Sequence, residues 1–78
     1  MKELLKNIIE SKYGWAIAEQ FEDVFINGDD LENQNSNALL YIKDCISELD
    51  WDIFSDQSQM EINDIYEQLD EFLHNTHL

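Results

Sequence analysis

The stretch Glu61-Ile62-Asn63-Asp64-Ile65-Tyr66-Glu67-Gln68-Leu69-Asp70-Glu71-Phe72-Leu73 decides the fold. Ile62, Ile65, Tyr66, Leu69, Phe72 and Leu73 recur at helical spacing and fill one arc of an α-helix, while Glu61, Asp64, Glu67, Asp70 and Glu71 take the rest of the wheel. A solvating acidic tail would lack that apolar stripe. Just before it, Ser58-Gln59-Met60-Glu61 reads as a capping box with Ser58 as N-cap, so the helix is expected to begin there.

Working outward, residues 50–55 break the helical period and are expected to form the corner between the last two helices. Phe54 reads as a core plug of that corner. For Trp51 two readings stand side by side: a core plug, or an aromatic anchor framed by carboxylates that engages a partner. Upstream, Leu39, Ile42, Ile46 and Leu49 predict a third helix, with Ser36 or Asn37 as N-cap and Asp44 and Glu48 on the outer side. Lys43 is the last lysine, and the carboxylates beyond it are expected to have no internal partner.

Residues 27–37 carry Gly28, Asp29, Asp30, Asn33, Asn35, Ser36 and Asn37, with Leu31 as the one apolar side chain, and read as the longest loop. The loop lacks the alternating ligands, central Gly and terminal Glu of a calcium-binding loop. Leu4, Leu5, Ile8 and Ile9 predict an amphipathic first helix over residues 2–13, which also holds three of the four lysines. Gly14 is a candidate helix end. Residues 13–18 taken alone would suit a short strand, but Ile17, Phe21, Val24 and Phe25 favour a second helix, with Glu19, Glu22 and Asp23 outside. The fold expected is all-α: residues 1–78 as a single acidic domain, a compact bundle of three or four short amphipathic helices.

Charge sets the function classes. Eighteen Asp and Glu stand against four Lys and no Arg, a formal net charge of -14, and residues 44–71 contain ten carboxylates with no Lys or Arg. Such a surface repels nucleic acid and anionic membrane, both of which are bound through Lys and Arg. It favours a basic protein partner met through electrostatic steering. With 44% hydrophobic residues the chain is rich enough to fold, although at 78 residues it stands near the size at which a core alone suffices.

Chemistry of other kinds has little to build on. An enzyme is not expected, because the two histidines, His74 and His77, are close to the end of the chain given and no nucleophile is paired with a base. His74 and His77 at i, i+3, with Asp70 and Glu71 a turn earlier, have a permissible metal-ligand spacing, but the helix dipole favours His at that end without a metal. No cofactor is expected. Cys45, alone among apolar neighbours, reads as a buried core residue, which together with the absence of a disulfide framework fits a reducing compartment. The first residues have no signal-peptide character and no segment is apolar enough to span a bilayer, so a cytoplasmic location is expected.

In size, charge, lack of Arg and the carboxylate-lined helix from 61 to 71, the chain resembles the small acidic nucleic-acid mimics encoded by phages and mobile elements, which block CRISPR effectors, restriction enzymes or repair glycosylases. The resemblance is compositional and carries no motif. It implies a non-enzymatic inhibitor that occupies the basic nucleic-acid-binding surface of a host defence protein. From charge geometry, the candidate contact residues are Asp44, Glu48, Asp50, Trp51, Asp52, Asp56, Glu61, Asp64, Glu67 and Glu71. A second reading is an immunity protein or antitoxin that neutralises a nuclease toxin. A third is a structural subunit that associates through exposed apolar residues such as Ile26 or Tyr41.

Overall fold

In the computed structural model, which describes residues 1–76, the periodic segments form four helices: α1 (Lys2–Tyr13), α2 (Trp15–Phe25), α3 (Ser36–Ser47) and α4 (Asp56–Thr76). Short 3-10 turns at Leu31–Asn33 and Trp51–Ile53 lie in the two longer connections. No strand occurs among the described residues, so the segment 13–18 resolves as the start of α2. No helix of the described residues is long and apolar enough to cross a membrane. The expected all-α bundle is thus the observed one, with a Cα radius of gyration of 11.7 Å, close to the ~11.5 Å expected for a folded chain of this length.

Gly14 alone joins α1 to α2. Its φ of +96° lies in the region that L side chains avoid, which lets the chain reverse within a single residue. Lys6 and Glu22, equidistant from Gly14 in sequence, meet in an ion pair, so α1 and α2 lie side by side and antiparallel. α3 then packs on both of them, and α4 returns along α3. Leu5, Ile9, Phe21, Leu39, Ile42, Ile46, Ile62 and Leu69 are fully buried at the centre. Each of these large side chains stabilises the fold by about 1.5–3 kcal/mol relative to an exposed one. Cys45, 2% exposed, is part of this core, and burial raises its thiol pKa, as suits a packing residue rather than a nucleophile.

Two helix starts differ from expectation. α3 is capped by Asn35, not Ser36 or Asn37: the Asn35 side-chain oxygen accepts from the backbone N–H of Asn37 at 2.8 Å and of Ala38 at 3.4 Å. α4 begins at Asp56, ahead of the expected Ser58. Ser55 Oγ accepts from the Ser58 N–H at 3.2 Å, so Ser55 is the capping side chain and Glu61 belongs to the second turn. The cause lies in the corner. Phe54 is buried, and Gln59 Nε2 donates to the carbonyls of Trp51 (2.8 Å) and Phe54 (3.0 Å), which ties the first turn of α4 to the corner. A cap motif read from sequence cannot register that tie.

The expected loop of residues 27–37 is shorter at its far end, since Ser36 and Asn37 belong to α3, and the connection between α2 and α3 is more ordered than a plain loop. Asp29 accepts from the Asp30 N–H and the Asn33 amide through one oxygen and from the Gln34 amide through the other. Leu31 is half-buried against the core. Leu69→Ala at the centre of α4 is expected to cost about 2–5 kcal/mol in chemical denaturation, whereas Glu67→Gln on the opposite face should stay within about 0.5 kcal/mol.

Candidate acidic interaction surface

Where the lysines go determines which carboxylates face outward unpaired. Lys6 pairs with Glu22 across α1 and α2, Lys12 with Glu48 across α1 and α3, and Lys43 with Asp70 at 2.7 Å across α3 and α4. Each pair crosses a seam between two helices. Lys2 shares a groove with Glu61 and Asp64 beside the end of α2 but makes no ion pair among the described residues. Eighteen carboxylates less the three in ion pairs leave fifteen outside any such pair among the described residues. The expectation that acids beyond Lys43 lack internal partners is therefore corrected at Glu48 and Asp70. Periodicity shows which side of a helix is polar, but which lysine lies opposite is a matter of packing.

α4 presents the most regular array. Ile62, Ile65, Leu69 and Leu73 are buried, with Tyr66 and Phe72 half-buried beside them, so Asp64, Glu67 and Glu71 stand on the far side of the helix. Gln68 Nε2 donates to Asp64 Oδ2 at 3.0 Å and Asn63 Nδ2 to Glu67 Oε1 at 3.4 Å. These amides orient two carboxylates without neutralising them. At about 1.5 Å of rise per residue, the outer acids step by about 4.5–6 Å, and Asp56 to Glu71 spans about 22 Å.

The other candidate residues fall in two further places. Asp50 and Asp52 flank Trp51 at the corner between α3 and α4, where Asp50 Oδ1 accepts the Asp52 N–H. Asp44 lies on α3 and Glu48 is the residue that ends it; Lys43 of α3 faces α4, while Tyr41 and Glu48 face α1, through the Tyr13 ring (centroids 5.1 Å apart) and through Lys12. Asp44 and Glu48 thus stand apart from the α4 array. Trp51 is half-buried. It packs against the core, and it lines an open depression of roughly 570 Å³ with Asp56, Gln59, Met60 and Asn63.

The hydrogen bond from Lys43 holds the Asp70 carboxyl below its usual range, and the same bond raises Lys43. The Asn33 amide, then the Asp30 N–H, lower Asp29. Among the described residues no group of three or more His, Cys, Asp or Glu is placed to hold a metal ion. His77 of the His74/His77 pair lies outside the described residues.

One exposed side chain escapes the charge-based reading. Trp15, the first residue of α2, is 69% exposed, unusual for the largest apolar side chain. The only sequence signal was its position beside Gly14, outside the Ile17, Phe21, Phe25 arc.

Comparison with protein-family models, characterised proteins and solved structures returned no match.

Two measurements follow from the charge layout. The destabilisation caused by Asp70→Asn should be present at neutral pH and vanish as pH falls below 3.8, because a carboxyl whose folded pKa is depressed contributes stability above its unfolded pKa and loses it as pH drops through the folded value. Urea titrations of both proteins at several pH values check this. The thermal midpoint should rise between about 20 and about 300 mM NaCl, since screening the repulsion among fifteen unpaired carboxylates outweighs the weakening of three surface pairs.

Proposed function

We propose that this protein is a non-enzymatic inhibitor that occupies the basic nucleic-acid-binding surface of a host defence protein, a CRISPR or restriction effector being the kind of target expected. The observation that carries the reading is the outer face of α4. Carboxylates at Asp64, Glu67 and Glu71, extended by Asp56 and Glu61, repeat along a rigid helix at a spacing of the order of the phosphate repeat. A groove of Lys and Arg that tracks a nucleic-acid backbone meets the same sequence of charges on this helix, and binding releases counterions from both surfaces.

The internal use of the lysines supports the same reading. Pairing at helix seams keeps three of the four cations off the outer α4 face, and the fourth, Lys2, lies in the groove beside Glu61 and Asp64, so an approaching basic surface meets the least opposed negative charge toward Glu67 and Glu71. The corner at Asp50, Trp51 and Asp52 continues the charge past the start of α4 and adds aromatic surface. On this reading the location is the cytoplasm, with the defence protein and its nucleic acid.

The test is capture from host lysate at low salt followed by elution at high salt. A nucleic-acid-binding effector, displaced by its own DNA or RNA, is the expected result. The double variant Asp64→Lys, Glu67→Lys should weaken binding about tenfold or more, chiefly through slower association. Recovery of a single nuclease toxin, bound away from its nucleic-acid groove, would instead establish the immunity-protein reading. Association that is indifferent to salt and to the reversed charges would overturn both.

A further inference from the structure

We infer that the cleft between α1 and α2 around Trp15 is a second docking site, built to take an arginine side chain from a basic segment of a protein partner. The cleft is lined by Lys6, Glu10, Trp15, Ala18, Glu19, Glu22 and Asp23 and has a volume of roughly 320 Å³. Its floor is Ala18, which is 1% exposed and belongs to the core. Its one cation, Lys6, is held by Glu22. Glu10, Glu19 and Asp23 remain outside any ion pair among the described residues, so the cleft has uncompensated negative charge beside an open indole.

That pairing of groups selects the occupant. An exposed indole face attracts a cation through its quadrupole, and tryptophan is the best of the aromatic side chains at this. Carboxylates at the rim accept hydrogen bonds from the same cation. Arginine satisfies both at once, because its planar guanidinium stacks on the ring while its edge N–H groups remain free to bond carboxylates; the ammonium of lysine is a compact, strongly hydrated point charge that does the first less well. A second copy of this chain is the poorer occupant, since it has no Arg and a net charge of -14.

The site stands on Trp15 and is independent of the α4 face, so the two can fail separately. The probe is a pair of ten-residue peptides, all Arg and all Lys, titrated at about physiological salt against Trp51→Phe protein, in which Trp15 is the one remaining tryptophan. The Arg peptide should change Trp15 emission and bind roughly two- to fivefold more tightly than the Lys peptide, the ratio that stacking at an exposed site supplies. Trp15→Ala should bring the two peptides to equal affinity, Trp15→Phe should restore part of the preference, and Asp64→Lys with Glu67→Lys should leave the ratio unchanged. Equal binding of both peptides to the Trp51→Phe protein, Trp15 emission that stays constant while peptide binds, or a concentration-dependent dimer that Trp15→Ala abolishes would each overturn the assignment.

Discussion

Repulsion among carboxylates is the constraint that the rest of this structure has to meet. Two like charges 10 Å apart repel by about 0.4 kcal/mol in water before screening, and among the described residues fifteen of the carboxylates have no ion-pair partner to offset this. Exposed ion pairs contribute about 0–1 kcal/mol each, so three of them do not balance the repulsion. The apolar core does, through buried aliphatic and aromatic side chains drawn from all four helices. What the ion pairs provide is placement. By meeting Glu22, Glu48 and Asp70 across helix seams, three lysines are kept from diluting the outward charge.

The same constraint explains the tight connections. A one-residue reversal at Gly14 and a cap at Ser55 tied to the corner by Gln59 leave little chain that could swing away from its neighbours. Even the acidic connection around Asp29 is fastened by three hydrogen bonds to one carboxylate. Carboxylates on such a frame keep fixed relative positions, which is the property that distinguishes a patterned negative surface from an acidic coil. The two tryptophans lie at different corners of this frame, one between α1 and α2 and the other between α3 and α4, each beside carboxylates.

Much of the fold was legible from residue order, and the reasons differ by element. The α4 arc of Ile62, Ile65, Leu69 and Leu73 was plain, because an amphipathic helix on the surface of a small bundle must put its apolar residues at helical spacing. Phe54 and Cys45 were assigned to the core correctly for a similar reason, as apolar groups at the joint and inside the apolar arc of α3. The caps were less legible: Ser55 and Ser58 both offer a hydroxyl three residues before a chain N–H, and Asn35, Ser36 and Asn37 are adjacent capping residues. Of the candidate surface, the α4 carboxylates emerged together, while Asp44 and Glu48 separated from them because α3 turns that side toward α1.

By itself the sequence determined that this chain is helical, that one side of its last helix is apolar and the other acidic, and that its charge has the sign a basic partner requires. These are local or summed properties, set by the identity of each residue and its spacing from the next. Tertiary structure alone decided which carboxylates the lysines occupy, which register each cap takes, and that Trp15 is open beside Glu10, Glu19 and Asp23 while Trp51 is half-buried. Those outcomes depend on which helix lies across each seam, and contacts between residues far apart in sequence leave no period by which to read them.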